Sequence, residues 1–101
     1  MIHDLFSGFI KIHILHHADE REVYGLWLME ELAHHGYSIS PGTLYPTLHG
    51  LEEAGYLASE KRVVGGRQRR YYTITPAGRE ALCEARAKLT ELMSEVLEGR
   101  T

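Results

Sequence analysis

The chain has a single cysteine, Cys83, in 101 residues. No intramolecular disulfide can form, so none helps to hold the fold. A lone thiol fits a reducing compartment, and the expected location is the cytoplasm. Long apolar runs are also missing. Nothing approaches the ~20 residues that span a bilayer, so no membrane partner is expected. The first residues, MIHDLFSGFIKIHILHH, carry an early acid at Asp4 and have no basic leader or small-residue cleavage site, so they do not read as a signal peptide. The known fingerprints of catalysis are absent. There is no P-loop and no dinucleotide-binding glycine pattern, and HHADE is not a metalloprotease helix. Cys83 has no histidine near it in sequence. An enzyme is therefore not expected, and no cofactor is implied. No internal repeat or low-complexity linker divides the chain.

Positive charge is scarce overall: 11 lysines and arginines stand against 14 acids, for a net charge of −3. Its distribution matters more than its sum. Residues 1–59 hold only Lys11 and Arg21 among eight acids. Residues 60–70 hold Lys61, Arg62, Arg67, Arg69 and Arg70 against the single acid Glu60. A basic tip on an acidic body is an electrostatic footprint for a polyanion, although an arginine run can also be plain solvated surface.

The periodicity predicts a first helix over residues 4–17. Leu5, Phe9 and Ile12 lie on one face and Phe6, Ile10 and Ile14 on another. A helix apolar nearly all round needs burial nearly all round. So short a chain offers little interior for that, and part of this helix is expected to pack on a second subunit. A polar connector, His16 to Glu22, follows. A second helix is expected from about Val23 to His35 on the stripe Tyr24, Leu28, Leu32, with Gly36 as its stop. Ser40-Pro41 reads as a helix N-cap and first position. The third helix runs to about Ala54 on Leu44, Leu48 and Leu51, with an irregular first turn expected around Pro46. Tyr56–Val64 and Arg69–Ile74 read as strands joined by a turn over residues 65–68. Thr75-Pro76 opens a last helix to about Leu97. Leu82, Ala85, Leu89, Leu92 and Val96 are spaced 3, 4, 3, 4 along it, as in a helix-pairing seam. The order α-α-α-β-β-α is that of a winged helix-turn-helix, mainly α with a small β-wing. Residues 1–75 form its DNA-binding part and residues 76–101 a C-terminal dimerisation helix in the same compact unit.

Several spaced motifs sharpen this reading. They are Tyr24-Gly25, the string from Gly42 to His49 (GTLYPTLH), Leu51-Glu52-Glu53, Gly65-Gly66-Arg67, Arg69-Arg70-Tyr71-Tyr72 and Thr73-Ile74-Thr75-Pro76-Ala77-Gly78. Together they resemble the PadR family of transcriptional regulators, in its small branch with one C-terminal helix. The resemblance spans about residues 4–97. It implies a homodimer with intertwined terminal helices, an inverted-repeat operator, usually repression, and in some members release by a small aromatic or multidrug ligand. Three positions depart from the pattern: Gly50 where a basic residue is frequent, Trp27 where a polar residue is usual, and Gln68 where proline is common.

The candidate DNA contacts are Ser40, Thr43, Tyr45, Pro46, Thr47 and His49 on the third helix, with Arg62, Gly66, Arg67, Gln68 and Arg69 on the wing. A helix in the major groove reads base edges from its N-terminal end. Arginines beside a glycine tip suit phosphates and a narrow minor groove. Thr43 and Thr47 stand one turn apart on the outer face, while Tyr45 borders the leucine stripe and is also a candidate for the core. The candidate dimer residues are Leu5, Phe6, Phe9, Leu82, Ala85, Leu89, Leu92 and Val96. Trp27 is either an ordinary half-buried aromatic or one wall for a planar aromatic effector. Seven histidines are many for this length, and His13 and His17 have i, i+4 spacing. No third ligand stands at a fixed distance in sequence, so no metal site is expected. A metal- or pH-responsive regulator using the histidines and a winged helix used for protein contacts remain as alternatives.

Overall fold

The computed structural model describes residues 2–99. The final residues of the expected dimerisation helix, 100 and 101, lie outside that range. The element order is α1 (Ile2–Glu20), α2 (Gly25–His34), α3 (Pro41–Glu53), β1 (Leu57–Val64), β2 (Arg67–Ile74) and α4 (Pro76–Glu98). This is the winged helix-turn-helix arrangement with one appended helix.

The interior is built from the apolar stripes of every element. Ile10 and Ile14 of α1, Leu28 and Leu32 of α2, and Leu44, Leu48 and Leu51 of α3 meet Leu57, Tyr72 and Ile74 of the sheet. Leu82 of α4 closes the cluster at 1% exposure. It was expected at a subunit interface on seam spacing alone. It belongs instead to the core of its own chain, because the first turns of α4 lie against the sheet and α1. The same seam changes partner along its length. Ala85 and Leu89 are half-buried, whereas Leu92 and Val96 are 46% and 65% exposed.

α1 is longer than its periodicity predicts. The connector residues His16 to Glu20 continue the helix, with His17 and Ala18 buried. Polarity there marks the outward face of a helix rather than a loop, since none of HHADE breaks helical backbone. α2 starts two residues later than expected. Val23 exchanges two backbone hydrogen bonds with Tyr72, at 3.0 and 2.7 Å, and so adds a one-residue bridge to the sheet edge. Tyr24 and Gly25 then turn the chain from that bridge into the helix.

Two close approaches explain two glycines. A Cβ on Gly25 would fall on the phenol end of Tyr45. A Cβ on Gly78, in the first turn of α4, would collide with the carbonyl of Tyr56 and lie 2.6 Å from Ile74 Cγ1. The Tyr56 carbonyl also accepts the Thr75 amide at 3.1 Å. The Thr75 hydroxyl in turn accepts the Gly78 amide at 3.0 Å, as a helix cap should. This corner sets the direction in which α4 leaves the domain.

Candidate nucleic-acid interface

The helix expected to read DNA is α3. Ser40 occupies its N-cap position and Pro41 its first turn, as expected, but the Ser40 side chain caps no backbone amide. Its Oγ lies 3.4 Å from Thr43 Oγ1. The first turn is regular. The Thr43 and Leu44 amides both donate to the Ser40 carbonyl, at 3.0 and 2.9 Å. Pro46 therefore lies inside the helix, contrary to the expected irregular start. The residue four back is Gly42, which has no side chain to add to the crowding there.

Leu44, Leu48 and Leu51 bury their stripe completely enough to fix the rotation of α3. That rotation turns Thr43, Tyr45, Pro46, His49 and Gly50 outward, with Thr47 half-exposed. Thr47 donates its hydroxyl hydrogen to the Thr43 carbonyl at 2.8 Å, so its hydroxyl oxygen remains available only as an acceptor. Tyr45 is 46% exposed, and its phenol end covers Gly25. It is neither core nor free: its ring ties α3 to α2. His49 stands 3.7 Å from Glu53, one turn on. Glu52 points away from the outer face and accepts a 2.7 Å hydrogen bond from Ser59 of β1. One of the two acids near the C-terminal end of α3 is thus tied to the sheet. The start of α3 has no acid in its first turn, so its positive dipole end is uncompensated there.

The wing is a tighter hairpin than expected. The strands pair from Leu57↔Ile74 to Val64↔Arg67, and the turn is Gly65-Gly66 alone. Both glycines have positive φ, 58° and 79°, which a two-residue hairpin turn demands. Arg67 and Gln68 are therefore strand residues, paired with Val64 and Val63, rather than turn residues. The alternation then sorts the basic side chains. Tyr72 and Ile74 face the core. Arg70, on the same face nearer the tip, donates to Ser59 Oγ at 2.9 Å.

Arg62 and Arg69 face each other across the opposite face. Two like charges in that position repel, and the surrounding side chains answer the repulsion. The Arg69 guanidinium lies 4.4 Å from the centre of the Tyr24 ring, and that of Arg62 4.7 Å from the Tyr71 ring. The two tyrosines meet edge to face at 5.5 Å. Arg62 also donates to both carboxylate oxygens of Glu22, one of them at 2.8 Å, and to Glu60 at 2.9 Å. The hydrogen bond from Arg62 holds the Glu22 carboxyl below the ordinary carboxylate range. Arg62 was expected to contact DNA. Its charge is already met by two acids, so its place in the structure is that of a strut between the wing and the start of α2. Arg69 is half-buried by its ring, whereas Arg67 and Gln68 are exposed. Among the described residues Arg67 has no ion pair. Lys61 is exposed beside the same tip, as are Val63 and Val64, at 74% and 42%. Lys61 was missed as a candidate although it stands in the same basic run.

Trp27 is half-buried between α1 and α2. The Arg21 guanidinium sits 5.3 Å over its ring, and His17 meets it edge-on at 5.4 Å. It lines a shallow groove with Glu30, Glu31, Ala33 and His34, apart from the groove between α1 and α4. The α1–α4 groove is apolar, lined by Leu5, Phe9, Ile12, Ala85, Leu89 and Leu92. Leu5 is 73% exposed, and Met93 and Leu97 beyond the groove are open as well. Phe6 is half-buried, stacked on Phe9 at 5.9 Å and edge-on to Tyr37 at 6.3 Å. Among the described residues no helix is long and apolar enough to cross a membrane.

Comparison with known proteins agrees with this geometry. The sequence profile described as the transcriptional regulator PadR-like family matches residues 14–84. The chain is 61% identical, over 91% of its length and 86% of the relative's, to a Mycobacterium tuberculosis protein named transcriptional regulator Rv3488. A PadR family transcriptional regulator from Eggerthella lenta superposes with a TM-score of 0.84 at 36% identity, covering 97% of this chain and 87% of that one. A PadR-like transcriptional regulator from Bacillus cereus gives 0.85 at 28% identity, covering 94% of each chain.

Proposed function

This chain belongs to the PadR-like family of transcriptional regulators, and we propose that it acts as a homodimeric repressor at an inverted-repeat operator. The observation that carries the reading is the pairing of two exposed surfaces: the outer face of α3 and Arg67 on the wing tip, a cation with no ion pair among the described residues. The helix offers short side chains. Thr43 and Thr47 present methyls and hydroxyls suited to thymine methyls and base edges, and Tyr45, Pro46 and His49 flank them. The wing offers charge without a partner, which suits phosphate and minor-groove contact. Selection of this kind comes from few side chains per subunit, so two copies are needed for useful discrimination. The apolar strip from Leu5 and Phe9 to Leu92 and Val96 is the surface that joins them. Two-fold symmetry then asks for half-sites about 34–36 Å apart, one turn of duplex.

An effector acts by favouring one angle between the two heads over another. The chemistry that Trp27 offers is that of the group it already holds, a cation over an indole face. The protein works where the genome is, in the cytoplasm.

Selection of bound duplexes from a random DNA pool tests the reading. A palindromic motif with two half-sites one turn apart is expected. Enrichment of nothing at low salt would refute DNA binding and leave the wing as a docking surface for an acidic protein.

A further inference from the structure

Histidine placement is the feature that DNA binding leaves unused. His13 and His17 lie one turn apart on the inward face of α1. The fold brings His35, at the C-terminal end of α2, against both of them. The rings of His13 and His35 stack at 4.8 Å, and one donor atom from each of the three histidines lies within 4.8 Å of the others. Glu31 comes from α2, one turn before His35. Its Oε1 is 3.4 Å from His35 Nε2 and 3.8 Å from His17 Nε2.

His17 is the telling member. It is 8% exposed, and its Nε2 is buried with no hydrogen-bond partner. Buried ring nitrogens are ordinarily satisfied, so an orphan aimed at two imidazoles and a carboxylate asks for something between them. Its other nitrogen, Nδ1, faces Glu20 at 3.8 Å. A carboxylate beside the far nitrogen is the outer-shell partner usual for histidine that binds metal. Trp27 against His17 and Tyr37 against His13, at 5.4 Å each, hold the rings edge-on.

We infer that His13, His17 and His35, with Glu31 as the fourth donor, form a binding site for a divalent first-row transition ion such as Zn2+. Three imidazoles and a carboxylate suit that class of ion rather than magnesium or calcium. Ligand atoms on a tetrahedral zinc stand about 3.4 Å apart, so closure needs side-chain shifts of about 1 Å. The site ties α1, which carries part of the apolar strip, to α2, the first helix of the reading motif. Resting on the proposed DNA-binding role, a bound ion would fix the angle between these helices and so bias the spacing of the two heads.

The test uses the full chain stripped of metal and titrated with Zn2+, and separately with Co2+. One ion per chain is expected, with the visible absorption of tetrahedral Co2+ and a change in the emission of Trp27, the sole tryptophan. His35→Ala and Glu31→Gln, both at the rim, should each weaken Zn2+ binding about tenfold or more, while circular dichroism confirms the fold. His16→Ala, which removes a member of the alternative grouping His16, His17 and Glu20, should leave affinity unchanged. Wild-type affinity in both His13→Ala and His35→Ala, or loss confined to His16→Ala, would overturn the site. Operator binding is then measured with and without Zn2+. Equal affinity would overturn the regulatory role and leave the site standing. No DNA binding under either condition would sink the DNA reading, and the metal titration would still decide the site.

Discussion

Replacing Arg67 with alanine separates a phosphate contact from a structural arginine, because Arg62 provides a matched comparison two pairs down the same hairpin. Arg67 is exposed and has no ion pair among the described residues. Arg62 is bound by Glu22 and Glu60 and stacked on Tyr71. Each phosphate that a cation neutralises adds about 0.9 to the slope of log affinity against log salt. A two-fold dimer carries two copies of Arg67, so its loss should lower the slope by about 1.8. Between 50 and 200 mM salt that difference amounts to about a 12-fold change in relative affinity. The assay is fluorescence anisotropy with one operator duplex at four or five salt concentrations. Arg67→Ala should weaken binding at low salt on every duplex, matched or mismatched, and flatten the salt dependence. Arg62→Ala should keep the wild-type slope and lower thermal stability instead, since it removes a strut and strands two acids. An unchanged slope in Arg67→Ala, or a flattened one in Arg62→Ala, would refute the assignment of roles within the wing.

Four further outcomes follow from the same geometry. Val96→Glu, alone or with Leu92→Glu, places charge on the exposed apolar end of α4; size-exclusion chromatography with light scattering should show a folded monomer, and an unchanged dimer would remove this strip from the interface. Gly78→Ala should destabilise the domain by about 1–3 kcal/mol despite the better helix propensity of alanine, because the new methyl meets the Tyr56 carbonyl, which is backbone and cannot swing aside. Gly25→Ala should cost less stability and more DNA affinity, since the group in its way is the mobile phenol of Tyr45 on the reading helix; melting curves and anisotropy on both variants distinguish the two cases. The Glu22–Arg62 pair should show in acid. A carboxyl whose folded pKa is depressed contributes stability above its unfolded pKa and loses it as pH falls through the folded value. Melting temperature measured from pH 6 downward should fall more steeply for wild type than for Glu22→Gln.

Much of the fold was legible because it depends on local rules. Leucines at helical spacing, serine or threonine followed by proline, and a Gly-Gly tip between β-rich runs each act within a few residues, and they placed all six elements. The errors came where a local rule met a distant partner. HHADE looked like a connector because polarity was counted, but one side of it is covered by the rest of the chain, with His17 and Ala18 buried. The four-residue wing turn shrank to two because pairing with the partner strand extends as far as the glycines allow. Leu82 shares its seam with Val96, and spacing alone cannot say where along a helix the neighbour changes.

For the site, the sequence by itself determined the chemistry: a basic run, a helix with short polar side chains on its outer face, and an abundance of histidine. Charge and hydrogen-bonding capacity belong to residues wherever they lie. Only the tertiary structure decided which of those groups were free to act. Arg62 is consumed by Glu22, 40 residues away, while Arg67 is not. Glu52 is turned from the outer face of α3 by Ser59. His35 is carried to His13 and His17, from which 18 and more residues separate it in sequence. Long-range pairing of this kind is a property of how helices pack, and no spacing along the chain encodes it.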